Sequence, residues 1–164
     1  MVSASGPLAG KVAIVTGAGS TIGMGRVMTL AMVRAGARVT MMDVNAASLG
    51  ETANEASEIG GEDAVLTLVG DISASDSADD AVQRTLDGLG GLHILVNNAG
   101  ISIDGLLARF KGEDWSKVIQ TNLTGAFNCL KAVTRPMMKL RGGRVINIGS
   151  VVAASGSAGQ SAYC

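Results

Sequence analysis

The sequence predicts an α/β fold built on a doubly wound parallel sheet. Short apolar runs rich in β-branched residues alternate with segments of helical periodicity, and glycines or aspartates follow most of the runs. This alternation implies parallel strands that are covered on both faces and joined by right-handed crossovers. The length of 164 residues fits one domain, so residues 1–164 are predicted to form a single unit.

Five strands and four helices are predicted from the order of these segments. The strands are the apolar runs 12–15, 38–42, 64–69, 92–96 and 144–148. The helices are 26–34, which Gly36 ends, 46–59, which Gly60 and Gly61 end, 76–89, and the long segment 114–140. Ligands of such sheets bind beyond the carboxyl ends of the strands, where the strand order reverses, so informative residues should follow strands.

Composition excludes several classes of partner. Thirteen Lys and Arg against 14 Asp and Glu leave a net charge of -1, without a run of like charges that predicts binding to nucleic acid or to a membrane surface. No apolar run approaches the roughly 18 residues of a membrane span and no signal peptide is visible, which predicts a cytoplasmic protein. Cys129 and Cys164 have neither metal-ligand nor disulfide spacing, so no metal is predicted.

A glycine-rich turn from Gly17 to Gly25 follows the first strand and opens the first helix. Glycines let the backbone approach a pyrophosphate, and the free N–H groups at the helix start face the phosphates. The spacing from Gly19 to Gly23 is one residue longer than in the common GxGxxG pattern. By itself the turn is weak evidence, since a tight connection without a ligand has the same appearance.

Two aspartates follow the next strands. Asp43 comes 20 residues after Gly23, where a carboxylate can accept hydrogen bonds from an adenosine ribose, which favours NAD. A 2′-phosphate beside this carboxylate would be repelled, and neither Ser20 nor Val44 supplies a cation. Asp71 suits a contact with the adenine edge. Each aspartate is equally compatible with an ordinary turn.

Further motifs follow in order: NNAG at 97–100 after strand four, TNLTG at 121–125 within the long helix, and Ser150 thirteen residues before Tyr163. NNAG alone is compatible with a simple turn. Together with the glycine-rich turn and the strand-end aspartate, the ordered set resembles the short-chain dehydrogenase/reductase family from about Lys11 to Cys164. The resemblance implies a Rossmann-type dinucleotide-binding domain and an NAD(H)-dependent enzyme that transfers a hydride between nicotinamide and a secondary alcohol or ketone.

The resemblance also implies a role for each matching residue. Tyr163 is expected to be the general acid/base and Ser150 to hold the substrate oxygen. Asn122 is expected to be a helix residue whose local backbone irregularity positions a water in a proton relay. The expected cofactor contacts are Gly17, Ser20, Thr21, Ile22, Gly23, Asp43, Asp71, Ile72, Asn98 and Gly100. Thr21 replaces the middle glycine of the family turn, and its hydroxyl could bond a phosphate.

One expected partner of Tyr163 lies beyond the last residue. Free tyrosine has a pKa near 10, and in the family a lysine four residues after the tyrosine lowers it. The sequence ends at Cys164, so this lysine and the later strands of the family are missing, and strand five should form an edge. The whole protein is expected to be a homo-oligomer, dimer or tetramer, and the chain alone to associate. Two alternatives stay open: a truncated, non-catalytic dinucleotide-binding module, and a fragment that does not fold stably.

Overall fold

The computed structural model describes residues 6–164 and contains one five-stranded sheet. The strands are Val12–Thr16 (β1), Arg38–Asp43 (β2), Val65–Val69 (β3), Ile94–Asn97 (β4) and Arg144–Asn147 (β5). The α-helices are Met24–Arg34 (α1), Ala46–Gly60 (α2), Ser75–Leu89 (α3), Gly112–Ile119 (α4), Ala126–Leu140 (α5) and Val152–Ser155 (α6).

All strand pairs are parallel, and the strand order is β3-β2-β1-β4-β5. Because β1 pairs with β2 on one side and with β4 on the other, the order reverses between β1 and β4. The register aligns Ala13 with both Val39 and Ile94, so the carboxyl ends of the three central strands lie side by side. The predicted doubly wound parallel sheet is confirmed, and its reversal opens a crevice at those ends.

Each face of the sheet has its own apolar core. Alternate residues of β1 point to opposite faces, as the period of two in a strand requires. Val15 packs with Leu30 and Val33 of α1, whereas Ile14 packs in the cluster that contains Val133 of α5. All five residues of β1 are buried, so the central strand is held from both sides.

The predicted helix 114–140 is interrupted in the structure, which corrects that prediction. Helix α4 starts at Gly112, a π-helical segment follows at Gln120–Gly125, and α5 continues from Ala126. A π-helical turn contains one additional residue, which sequence periodicity does not detect over such a short segment. Smaller corrections are a 3₁₀ turn at Glu62–Ala64, which delays β3 to Val65, and the unpredicted short helix α6.

Strand β5 forms one edge of the sheet, as the sequence predicted. Its Ile146 is 39% exposed, and on the adjoining α5 Phe127 is 59% and Met138 72% exposed. These apolar side chains contrast with the buried residues of β1. None of the helices formed by residues 6–164 is long and apolar enough to cross a membrane.

Candidate nucleotide and active-site cleft

A cavity of about 820 Å³ opens at the carboxyl ends of the strands, where the strand order reverses. Its size lies within the range of about 300 to 1,000 Å³ that is common for ligand pockets. The predicted site residues that line it are Gly17, Ser20, Gly23, Asp43, Asp71, Ile72, Asn98, Gly100, Asn122 and Tyr163. Three others, Thr21, Ile22 and Ser150, are not part of this lining, and Ile22 is 97% exposed.

The glycine-rich turn packs closely against the end of β4. Gly17 has φ +66°, and a Cβ there would lie 2.8 Å from Ala99 Cα, so any side chain would collide with the backbone. Gly23 N–H donates to Ser20 O at 3.0 Å and closes the turn. Gly23 is also the N-cap of α1 and provides no side-chain acceptor, so N–H groups of the first helical turn stay available for an anion.

Asp43 joins this turn to the end of β2. Its Oδ2 accepts a hydrogen bond from Gly19 N–H at 2.8 Å, and its Oδ1 accepts from Asn45 N–H at 3.0 Å. Each carboxylate oxygen keeps a further lone pair for a ligand hydroxyl. Among the described residues that line the cavity none is Lys or Arg, and nearby Arg26 of α1 is paired with Glu55 of α2.

The turn after β3 is held by α5. Asp71 Oδ1 accepts from Ser73 N–H at 2.8 Å, and Asn128 Nδ2 donates to Ile72 O at 3.0 Å and to Ser73 O at 3.1 Å. Ile72 is 5% exposed and packs against Gly125, where a Cβ would lie 2.6 Å from its Cδ1. Asn128 was not predicted as a site residue, because it contacts a turn 55 residues away along the chain.

Thr16 is a second residue that sequence reasoning missed. Its hydroxyl accepts hydrogen bonds from Asn98 N–H and Ala99 N–H, both at 3.1 Å, and donates to Val96 O at 3.3 Å. Asn98 Nδ2 returns to the first strand and donates to Thr16 O at 2.9 Å and to Gly17 O at 3.1 Å. The position of Thr16 directly before the glycine-rich turn was the available signal. These bonds fix β1 and β4 at the floor of the cleft.

The π-helical segment presents Asn122 to the loop that follows NNAG. Asn122 Oδ1 accepts from Ile101 N–H at 2.8 Å, and its Nδ2 donates to Ile101 O at 2.9 Å. The paired bonds explain the orientation of Asn122, because both ends of its amide are used. Asn97 Nδ2, deeper in the cleft, donates to Asn147 Oδ1 at 2.9 Å and joins β4 to β5.

Ser150 precedes α6 along the chain, and Tyr163 follows it. Ser150 Oγ accepts a hydrogen bond from Val152 N–H at 3.4 Å, at the start of that helix. Tyr163 is half-buried at the cavity wall, and its N–H donates to Gln160 O at 2.9 Å. Within residues 6–164 no hydrogen bond joins the two hydroxyl groups.

His93 lies at the opposite end of the sheet, away from the cleft. Its Nδ1 accepts a hydrogen bond from Val12 N–H at 3.1 Å, which requires a ring nitrogen without a proton. Burial, and then the positive charges of Lys11 and Arg38, lower the pKa of this imidazole below its usual value of 6.5. His93 therefore supports the start of β1.

The fold, the glycine-rich turn and the aspartate at the end of β2 together define a Rossmann-type α/β protein. The family profile described as short chain dehydrogenase matches residues 11–164. The chain belongs to this family of nicotinamide-dependent oxidoreductases, which confirms the resemblance found in the sequence.

Relatives and solved structures agree with the family. The chain is 43% identical over 156 residues to 3-oxoacyl-(acyl-carrier-protein) reductase FabG of Pseudomonas aeruginosa, covering 95% of the chain and 62% of that protein. It is 39% identical over 157 residues to 3-oxoacyl-(acyl-carrier-protein) reductase of Synechocystis, with the same coverages of 95% and 62%. The crystal structure of NAD⁺-bound xylitol dehydrogenase matches with a TM-score of 0.89 and 30% identity, over 96% of the chain and 59% of that structure. The chain therefore spans about 62% of the length of these curated relatives.

Proposed function

We propose that the protein is an NAD(H)-dependent oxidoreductase that transfers a hydride between nicotinamide and a secondary alcohol or ketone, with Tyr163 as the general acid/base. The observation that carries the proposal is the shared cavity. The cavity lining includes Asp43, the turn at Gly17 and Tyr163. We call the part of the lining at Asp43 and Gly17 the first wall and the part at Tyr163 the second wall. A ligand that spans the cavity would bring a nucleotide and a reactive group to these two walls.

The residues of the first wall fit a dinucleotide. Gly17 provides close backbone approach, and the N-terminal turn of α1 provides N–H groups for the pyrophosphate. Thr21 lies in the same turn and is exposed, so its hydroxyl is available to a phosphate. Asp71, Ile72, Asn98 and Gly100 are the further cofactor contacts of the proposal, since all four line the cavity. Ile22, although 97% exposed, is retained as a contact through its backbone.

The charge of the first wall supports NAD over NADP. Asp43 presents a carboxylate whose free lone pairs can accept ribose hydroxyl groups. A 2′-phosphate would add negative charge beside it, and the described part of the cavity lining contains no Lys or Arg to balance that charge. The preference for NAD therefore follows from repulsion as well as from hydrogen bonding.

The second wall supplies the proton chemistry. When bound, the nicotinamide supplies or accepts the hydride. The Tyr163 phenol donates a proton to the carbonyl oxygen during reduction and takes it back during oxidation. Ser150 donates a hydrogen bond to the same oxygen once the ligand draws the two hydroxyl groups together. Asn122 holds the loop at Ile101 and keeps the π-helical segment in place for a water of the proton path.

The names of the relatives support a ketone as the substrate. A 3-oxoacyl group carries a ketone, and two relatives with about 40% identity are named as its reductases. We propose that the whole protein acts in the cytoplasm as a homo-oligomer, as its family membership implies.

The function is tested by incubating the whole protein with NADH and a panel of ketones that includes a 3-oxoacyl thioester. Loss of NADH absorbance is followed, and the alcohol product is identified by mass spectrometry. We expect alcohol in a one-to-one ratio with NADH consumed. Consumption of NADH without an alcohol product, or no consumption with any ketone, would contradict the proposal.

A further inference from the structure

A short segment of the chain connects two residues of the proposed reaction that belong to different elements. Residues 101–105 follow NNAG, begin at the cavity with Ile101, and connect the π-helical segment with the turn that carries Tyr163. At one end, Asn122 forms two hydrogen bonds with Ile101, at 2.8 and 2.9 Å. At the other end, Gly105 N–H donates to Gly159 O at 2.8 Å. This connecting segment is called the strap below.

The side chain of Gln160 strengthens the second attachment. Its Nε2 donates to Asp104 Oδ1 at 3.1 Å and lies 3.4 Å from Ser102 Oγ. Ser102 Oγ donates to the same Asp104 oxygen at 2.8 Å. A carboxylate acceptor makes these bonds stronger than bonds between neutral groups. Three side chains from two distant segments therefore meet at one oxygen atom.

The backbone of Gln160 in turn holds Tyr163. Gln160 O accepts hydrogen bonds from Tyr163 N–H and from Cys164 N–H, both at 2.9 Å. A single residue thus contacts the strap through its side chain and the reactive tyrosine through its carbonyl. A shift of the Gln160 backbone therefore displaces the acceptor of the Tyr163 N–H bond.

We infer that Gln160 and Asp104 are positioning residues, which hold the Tyr163 phenol at the angle and depth that proton transfer requires. The inference rests on the proposed function. A reacting group displaced by about 1 Å loses on the order of a hundredfold in rate, so a hydrogen bond that limits such a displacement affects kcat strongly. Most of the proposed cofactor contacts, among them Gly17 and Asp43, lie outside the strap and the turn of Tyr163, so we expect cofactor binding to change little.

The test exchanges donor and acceptor within the pair. Gln160→Glu places a second carboxylate against Asp104 and breaks the bond by repulsion. Adding Asp104→Asn restores it, because the new amide donates to the new carboxylate while its own oxygen still accepts from Ser102. The matched control is Gln83→Glu on α3, where Gln83 Nε2 donates to Asp87 Oδ1 and Oδ2, both at 3.0 Å, far from the cleft.

Two readouts are used. For Gln160→Glu we expect kcat to fall by about ten- to a hundredfold with the Kd for NADH changed less than about twofold, and the double variant to recover most of kcat. Tyr163 is the only tyrosine among these 164 residues, so the ¹³Cζ-tyrosine NMR signal that Tyr163→Phe removes belongs to Tyr163 and reports its surroundings without turnover. This signal should shift in Gln160→Glu and return in the double variant, and the control should change neither readout.

The outcomes separate the two proposals. Absence of turnover in the wild-type protein counts against the proposed function, whereas the Tyr163 signal still reports whether the pair holds the turn. Normal kcat and an unchanged signal in Gln160→Glu would overturn the inference alone. A loss that the double variant does not recover would also overturn it, since the hydrogen bond would then not be the cause.

Discussion

The β1–β2 end of the cleft and its β4–β5 end are built in different ways. At the first end, Asp43 accepts backbone N–H groups from Gly19 and Asn45 with both carboxylate oxygens, beside a strand that is buried along its whole length. At the second end, the hydroxyl groups of Ser150 and Tyr163 share no hydrogen bond within the described residues, and Asn122 is bonded to the loop at Ile101. The proposed nucleotide end is preorganised by its own backbone, whereas the proposed reacting end depends on contacts between loops.

The largest effect is expected from a substitution at the β4–β5 end of the cleft that leaves the β1–β2 end intact. We expect Tyr163→Phe to lower kcat by about a hundred- to ten-thousandfold, since the general acid/base is removed while the ring is kept. The Kd for NADH should stay within about twofold, because Asp43 and the glycine-rich turn are untouched. Turnover and calorimetric titration of the whole protein measure both quantities, and normal turnover in the variant would remove Tyr163 from the mechanism.

The next largest effect is expected from a substitution in the glycine-rich turn at the β1–β2 end. Gly17→Ala forces a side chain into φ +66° and places its Cβ 2.8 Å from Ala99 Cα. We expect the free energy of unfolding to fall by about 2 kcal/mol or more and the Kd for NADH to rise. The matched control is Gly10→Ala, which has φ +74° and nothing within 4 Å, so it carries the conformational cost without the collision. Equal losses in urea unfolding of the two variants would show that the close approach of β1 and β4 is unimportant.

A smaller effect sharpens the assignment of the nucleotide. Asp43→Asn keeps an acceptor for Gly19 N–H and removes the charge, and Asp43→Ala removes both. We expect the ratio of NADPH to NADH dissociation constants to fall by roughly tenfold in Asp43→Asn, because repulsion of the 2′-phosphate is lost. The alanine variant should also bind NADH more weakly. An unchanged ratio in both variants would mean that residues other than Asp43 determine the preference for NADH over NADPH.

The smallest effect concerns the opposite end of the sheet. The folded-state pKa of His93 lies below its unfolded value of 6.5. At pH values between the folded-state pKa and 6.5, the unfolded chain therefore binds more protons than the folded chain. His93 therefore contributes stability that is fully present above pH 6.5 and is lost as the pH falls toward its folded pKa. His93→Asn keeps an acceptor for Val12 N–H without titrating, and urea midpoints between about pH 5 and 8 should depend less on pH. The same pH dependence in both proteins would exclude His93 as the cause.

The sequence predicted the fold because its signals are local. Apolar strand runs, helix-ending glycines such as Gly36 and strand-end aspartates such as Asp43 each act within a few residues. The family resemblance implied an irregular backbone at Asn122, but hydrophobic periodicity did not show that the long helix is interrupted at Gln120–Gly125, because a π-helical turn adds only one residue. Periodicity also does not reveal the contact between Asn122 and Ile101.

Some residues of the candidate site were also predicted from local sequence signals, and others were not. The glycine-rich turn and Asp43 follow from spacing and chemistry, and the structure brings both to the cavity. Ser150 and Tyr163 could be found only through the family resemblance, since a spacing of thirteen residues carries no geometric signal of its own. The bond from Gln160 to Asp104 joins residues 56 apart, and only the folded chain reveals it.

The central claim, that the cleft is a site for NAD selected by Asp43, is tested most directly by titrating the wild-type protein with NADH and with NADPH in a calorimeter. The account predicts that NADH binds at least about tenfold more tightly, since the 2′-phosphate meets a carboxylate without a balancing cation. Equal or tighter binding of NADPH, or no binding of either nucleotide, would contradict it.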